Sequence, residues 1–157
     1  MKEGERKNLL KKARTIADFQ FGAGAGEILF SEGVEFTLSK TRRISQIKEK
    51  GERIATLRSF DGLLTLSGEG AKRLHRFFKY PRLRVVMNEE SSKFIREGGT
   101  AFCKHVIAAD PEIRAYDEVI LVDEKDNLLA TGKAMLSCDE MKIFEHGVAV
   151  KVRCGLG

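Results

Sequence analysis

The chain has 157 residues, enough for one ordinary domain or two small ones, and its 42% hydrophobic content suffices for a packed core. No run approaches the roughly 18 apolar residues of a membrane-spanning helix, and the N-terminal MKEGERKNLLKKA lacks the apolar centre of a signal peptide, so a soluble, cytoplasmic protein is expected. The net charge of +5 is uneven: residues 1–81 carry 17 Lys and Arg against 10 Asp and Glu, net +7, while residues 82–157 carry 11 against 13, net −2, which places any general attraction to a polyanion in the first half.

The first predicted element is a helix over KNLLKKARTIAD, where Leu9, Leu10, Ala13, Ile16 and Ala17 fall on one side of a 3.6-residue repeat and Lys7, Lys11 and Arg14 on another. It ends at FGAGAG, with glycines at 22, 24 and 26. A dinucleotide loop needs G-x-G-x-x-G after a strand and before a helix. Here a helix comes first, Glu27 stands where the third glycine belongs, and no G-K-[ST] follows, so the stretch reads as a helix stop and turn with no bound nucleotide. EILF, VEFTLS, RISQIKEKGERIATLRS (two strands about KEKGE) and GLLTLS then read as a small antiparallel sheet. In GEGAKRLHRFFKY, Ala71, Leu74 and Phe78 make a packing face, and Lys72, Arg76 and Lys79 at i, i+4 and i+7 make a basic ridge that Pro81 terminates. The change of pattern and charge there predicts two rigidly coupled units, residues 1–80 and 81–157.

The second unit is expected to begin with a strand, RLRVVMN, and a helix over EESSKFIREGG, with Glu89 and Glu90 in its first turn and Gly98 or Gly99 as its stop. TAFCKHVIAAD is mixed, YDEVILVDEKDNLLATGKAML is a hairpin about Lys125-Asp126-Asn127, and GVAVKVR alternates, with Val148, Val150 and Val152 on one side and Ala149, Lys151 and Arg153 on the other. One helix against many short strands predicts a partly open barrel, and the chain as a whole is of the α+β class. Cys103, Cys138 and Cys154 have no C-x-x-C spacing and read as free thiols; Cys103 and His105 lack the further ligands of a metal site. His75 and His146 are isolated, Asp139 and Glu140 have no second carboxylate pair placed by sequence, and no nucleophile sits with an activating base. No catalysis, cofactor or metal is expected.

The order of parts from VVMNEESSKFIREGGTAFCKH through DEVILVDEKDNLLATGKA and SCDEM to HGVAVKVR resembles a PUA domain, the RNA-binding module named for pseudouridine synthases and archaeosine transglycosylases. IADFQFGAGAGEILF, TRRISQI and IATLRSFDGLLTLSGEGAKRLHRF resemble the segment that precedes the PUA domain in archaeal tRNA-guanine transglycosylases, the archaeosine-forming enzymes. In that family the glycine stretch joins a helix to a small sheet. The resemblance further implies that this chain begins where the family's catalytic barrel, with its aspartate nucleophile and zinc, has ended, so no catalytic residue carries over.

The resemblance implies RNA binding in the groove beside the first PUA helix and its glycine loop, at Arg96, Gly99, Thr100, Phe102, Lys104 and His105. Glycine lets a phosphate approach backbone N–H groups, and Lys104 adds a point charge. Lys151 and Arg153 share a strand face and could extend the track, or be its solvated side; Phe102 reads more readily as core than as a stacking platform, because small barrels need large fillers and the chain has no Trp. In the first half Lys72, Arg76 and Lys79, with Arg42 and Arg43, are the candidate phosphate contacts. The expected partner is structured RNA, tRNA foremost, which is read largely by shape, phosphates and 2′-hydroxyls. The alternative is a non-catalytic accessory subunit of a separately encoded tRNA-guanine transglycosylase-type enzyme.

Overall fold

A 19-residue helix, α1 (Glu3–Phe21), opens the chain and buries Leu10, Ala13, Ala17 and Phe21, a stripe at i, i+3, i+7 and i+11. The computed structural model describes residues 1–157, which divide into two units, Met1–Phe77 and Phe78–Gly157. None of the helices is long and apolar enough to cross a membrane.

In the first unit each glycine of FGAGAG has its own structural reason. Gly22 leaves α1 at φ 125°, its N–H donating to the Asp18 carbonyl. Gly24, at φ 92°, is the left-handed residue that starts α2 (Ala25–Leu29). Gly26 lies against α1 itself: a Cβ there would stand 2.4 Å from the Arg14 carbonyl oxygen and 2.7 Å from its Cα. EILF, expected as strand, is therefore the end of a short helix. Its first turn is held from a distance, because the Asp18 carboxylate accepts from the Gly26 N–H at 2.7 Å, and Arg14 then ties the Phe30 carbonyl at 2.9 Å.

The sheet that follows is antiparallel in chain order: β1 (Glu35–Leu38), β2 (Ile44–Glu49), β3 (Glu52–Leu57) and β4 (Leu64–Leu66). Lys50 (φ 52°) and Gly51 (φ 79°) form the two-residue turn between β2 and β3, both residues at the positive φ that a type I′ hairpin requires. The outer edge of β4 is covered by Gln20 of α1, whose amide donates to the Leu64 carbonyl at 2.9 Å and accepts from the Leu64 N–H at 2.7 Å. That pairing satisfies an edge that would otherwise invite another strand. Helix α3 (Gly68–Phe77) buries Ala71 and Leu74 and exposes Lys72 and Arg76. It ends at Phe77, four residues short of Pro81, so Phe78 and Lys79 are not on it, and the basic ridge on the helix is Lys72 and Arg76 alone.

The second unit is a six-stranded, nearly closed sheet in the order β6-β10-β9-β8-β5-β7. Its strands are β5 (Arg84–Met87), β6 (Ala101–Phe102), β7 (Val106–Ala109), β8 (Glu118–Val122), β9 (Leu128–Ala134) and β10 (Val148–Gly155). All pairs are antiparallel except β5 with β8, and the two end strands, β6 and β7, follow each other through a single 3₁₀ turn, Cys103–His105. Inside sit Val85, Met87, Ile95, Val119, Leu121 and Val150. The two sheets of the protein share no strand.

Helix α4 (Glu89–Arg96) is capped by Asn88, whose side chain accepts from the Ser91 N–H at 3.0 Å. A second helix, α5 (Cys138–Ile143), corrects the expectation of one. Its signal was in SCDEM: Ser137 and Glu140 form a reciprocal capping box, Ser-x-x-Glu. The alternation expected of β10 is also interrupted, since Ala149 and Val150 are both buried and the pairing shifts register between Val148 and Val150 and again between Val152 and Cys154. All three cysteines are free thiols, and burial raises the Cys103 thiol above its ordinary value.

Asp110 fastens the start of this barrel. Its buried carboxylate accepts from the Leu83 N–H at 2.8 Å, holding Leu83 at φ 65°, and from the exposed Glu112 N–H at 3.0 Å. Asp110→Ala leaves the buried Leu83 donor without its acceptor and is expected to cost about 1–3 kcal/mol, read as a lower urea midpoint at unchanged slope.

Candidate nucleic-acid interface

The loop after α4 is a Schellman turn. Gly98 (φ 96°) donates to the Ile95 carbonyl at 2.9 Å and Gly99 to the Phe94 carbonyl at 2.9 Å, so Gly98 is the stop. Gly99 serves differently: a Cβ there would lie 2.1 Å from the Phe94 ring, which covers the loop while remaining largely exposed. The end of β10 packs on the same loop, a Cβ at Gly155 falling 2.2 Å from the Arg96 carbonyl oxygen. Half-buried Thr100 then leads into β6, which pairs with β10 through Phe102 opposite Val148.

Phe102 is 38% exposed, which overturns its reading as core. With Lys104, His146 and Gly147 it lines a pocket of about 150 Å³, and the pocket's position follows from the Cys103 N–H donating to the Gly147 carbonyl at 3.0 Å. An aromatic face, a cation and an imidazole thus share one opening. His146 was not foreseen, because it stands 42 positions after Lys104 in the chain. His105 itself does not line the pocket: its Nδ1 is hydrogen-bonded to Nδ2 of Asn88, the residue that caps α4, at 3.1 Å.

Arg96 faces elsewhere. It donates to the Leu128 carbonyl at 3.4 Å and lines a second hollow, about 490 Å³, with Lys93, Lys125, Glu89 and Asp123. Burial pushes the Asp123 carboxyl up, but the Asn127 side chain, the Asn127 and Lys125 N–H groups and the Arg96 charge together hold it below the ordinary aspartate value of 3.8. A carboxyl lowered by folding stabilises the fold above its unfolded value, and the contribution disappears as pH falls through its lowered one. Asp123→Asn should therefore be less stable than the parent at neutral pH and converge on it as pH drops through and below 3.8, in parallel urea titrations.

Lys151 is exposed on β10 directly opposite Lys133 of β9, so the two cations share a face. Lys133 also sits over the exposed Tyr116 ring, 5.5 Å from its centroid. Neither Lys133 nor Tyr116 was among the expected residues, since the pair depends on register. Arg153 is different in kind: both terminal nitrogens of its guanidinium, Nη1 and Nη2, donate to the fully buried Glu118 carboxylate, one at 2.6 Å, so its charge is countered.

In the first unit Lys72 and Arg76 are exposed one turn apart on α3. Arg42, at φ 62°, is bound to Glu5 at 2.7 Å, whereas its neighbour Arg43 makes no ion pair and lines a groove beside α1. Lys79 is exposed in the second unit.

A nearly closed barrel that opens strand–helix–glycine loop and returns its last strand against that loop is the PUA architecture, and residues 83–156 match the PUA domain family. Residues 11–81 match the family described as patch-forming domain C2 of tRNA-guanine transglycosylase. The chain therefore carries a C2 domain and a PUA domain in tandem. In sequence it is 50% identical over 151 residues to the tRNA-guanine(15) transglycosylase of Pyrococcus abyssi, covering 96% of this chain and 26% of that protein. It is likewise 50% identical over 147 residues to the tRNA-guanine(15) transglycosylase of Methanothermobacter thermautotrophicus, covering 93% and 22%. The chain thus spans about a quarter of the length of these relatives, and the match lies in their C-terminal part. Among solved structures, a hypothetical protein of Pyrococcus horikoshii superposes with a TM-score of 0.72 at 23% identity, over 95% of this chain and 90% of that one. A conserved PUA domain protein of Thermoplasma acidophilum gives 0.64 at 19% identity, over 94% and 91%. At those identities the likeness establishes the fold.

Proposed function

We propose that the chain is a cytoplasmic RNA-binding protein that docks structured RNA, tRNA foremost, through its PUA unit, and that it serves RNA modification or translation without catalysing a step itself. The observation that carries the reading is the half-identity to proteins named for acting on tRNA, confined to a C2 and a PUA domain. The site geometry supports it: Phe102, Lys104 and His146 around one opening, and the Lys133–Lys151 pair on β9 and β10, offer ring faces and phosphate contacts. Gly99, Thr100, His105 and Arg96 shape the loop beside them, and Lys72, Arg76 and Arg43 of the first unit, with Lys79, add charge; Arg42 and Arg153 contribute less, each being held by a carboxylate. The test is binding to a tRNA transcript, ribosomal RNA fragments and duplex DNA across a salt series. Tighter binding to tRNA is expected, with the log–log salt slope flattened by about 0.7–0.9 for each of Lys104, Lys133 and Lys151 replaced by alanine. Equal affinity for tRNA and duplex DNA defeats the reading.

A second reading, an accessory subunit for a separately encoded transglycosylase-type catalytic barrel, draws support from exposed apolar side chains on the first unit, Phe19 of α1 at 83% and Ile28 of α2 at 40%. Sedimentation of the chain with such a barrel, and with a Phe19→Ser, Ile28→Ser variant, separates the two readings. Complex formation that the variant loses supports a subunit role.

A further inference from the structure

We infer that the groove between α1 and the first unit's sheet is a nucleotide subsite, taking one unpaired nucleotide of an RNA with its base on Phe60 and its phosphate on Lys12 and Arg43. The inference rests on the RNA-binding reading above and adds to it a place and a ligand class. The groove holds about 760 Å³, within the roughly 300–1,000 Å³ of clefts that enclose small ligands, and none of the residues that line it is Asp or Glu. Elsewhere in the unit Arg6 is paired with Glu3, Arg42 with Glu5, and Arg73 with both Glu49 and Glu69. Lys12 and Arg43 make no ion pair and keep their charge for something else.

The aromatic partner is Phe60, at the tip of the turn between β3 and β4 and 81% exposed. A ring this exposed adds nothing to the core. One of its faces is already backed, because the Arg58 guanidinium lies 5.2 Å from the ring centroid and is itself fixed by Asp61, at 2.8 Å and 3.1 Å. Asp61 also accepts from the Leu63 N–H at 3.0 Å, so the turn is set before any ligand arrives. Ser39 and Arg43, which also line the groove, are fixed as well: the Ser39 N–H donates to the Arg43 carbonyl at 2.8 Å, and the Arg43 N–H donates to the Ser39 hydroxyl at 3.2 Å. Ile16 and Leu57 give an apolar wall for a flat ring, and the hydroxyls of Thr41, Ser45, Thr56 and Ser59 supply donors and acceptors for base edges or a 2′-OH. A duplex hides its base faces, so a ring beside unpaired cations and hydroxyls is matched by a nucleotide out of its stack. An acidic peptide would use the cations and leave the ring idle.

The test measures fluorescence anisotropy of the full chain with labelled hexauridylate, a 12-base-pair RNA duplex and a tRNA transcript. Phe60→Ala is expected to weaken hexauridylate binding about 5- to 150-fold and to leave the duplex unchanged, while Phe60→Tyr keeps parental affinity. Lys12→Ala with Arg43→Ala should flatten the single-strand salt slope by about 1.4. The inference is overturned if Phe60→Ala leaves hexauridylate binding intact, if it weakens both RNAs alike, or if hexaglutamate displaces hexauridylate as readily as unlabelled RNA does. Loss of tRNA binding by the parent with Phe60-dependent hexauridylate binding retained removes the docking function proposed for the PUA unit and leaves the groove standing. Intact tRNA binding with no Phe60 effect removes the groove alone.

Discussion

A Gly26→Val chain is expected to lose at least about 3 kcal/mol of stability, a fall in melting temperature of roughly 6–12 °C at this chain length. The reason is the nature of the obstacle. Overpacking a core ordinarily costs about 1–3 kcal/mol because neighbouring side chains can turn aside. At Gly26 the neighbours are the carbonyl oxygen, Cα and carbonyl carbon of Arg14, at 2.4, 2.7 and 2.8 Å from a Cβ, all backbone in the middle of α1. To admit a side chain, α1 and α2 must separate. Two bonds that tie the helices would go with them, Gly26 N–H to Asp18 and Arg14 to the Phe30 carbonyl. Gly4→Ala is the control: nothing lies within 4 Å of its Cβ, and its helical position should gain up to about 1 kcal/mol. Thermal melts of the three proteins decide it, and equal melting temperatures for parent and Gly26→Val would remove the close-approach account of this glycine.

The same glycine shows what a sequence can and cannot disclose. That FGAGAG ends a helix is legible from the stripe before it, because the 3.6-residue repeat is local. That its second half opens another helix is not, because the cap on α2 comes from Asp18, eight residues away, and the apolar EILF fits a strand as well as a buried helical turn. The hairpin about Lys50 and Gly51 and the one about Asp126 were legible for the converse reason: their turn chemistry sits between the strands it joins. Alternation in β10 was legible only in outline, since the pairing with β6 shifts register between Val148 and Val150, where Ala149 and Val150 are both buried. Helix α5 was legible in principle. Ser137 and Glu140 carry the capping-box spacing, but the helix is only six residues and lacks a full apolar repeat.

The site divides in the same way. Gly98, Gly99, Thr100, Phe102 and Lys104 are close in the chain and lie together at the loop and its strand, so a family pattern could point to them. Lys133 reaches Lys151 through pairing, and His146 reaches Phe102 through a loop contact. Both depend on which residue of one strand faces which of another, and no local rule fixes that. Charge in the sequence also overstates the supply of free cations. Arg42 and Arg153 counted toward a basic surface until Glu5 and Glu118 were found beside them.

Two variants should separate the electrostatic contribution of the first unit from the placement supplied by the second. Lys72→Ala with Arg76→Ala removes exposed cations one turn apart on α3, away from its buried face, so the fold should be unaffected. If both meet phosphates, affinity for every RNA should fall by a similar factor and the log–log salt slope should flatten by about 1.4 to 1.8. Gly99→Trp acts on a different property. Its Cβ would meet the Phe94 ring at 2.1 Å, but that ring is largely exposed and can swing away, and Gly99 is not at positive φ, so the Schellman turn at Gly98 can persist. What changes is the surface beside Phe102 and Lys104: a displaced phenyl and an added indole fill the space over the loop. Binding to the preferred tRNA should then fall at least about tenfold, while weak salt-sensitive binding to an unrelated duplex stays near the parental value. Filter binding of both variants to both nucleic acids, at two salt concentrations, with circular dichroism to confirm folding, makes the comparison. The division fails if Gly99→Trp and the double alanine variant weaken tRNA and duplex in the same proportion, because the loop would then be contributing no more than charge does.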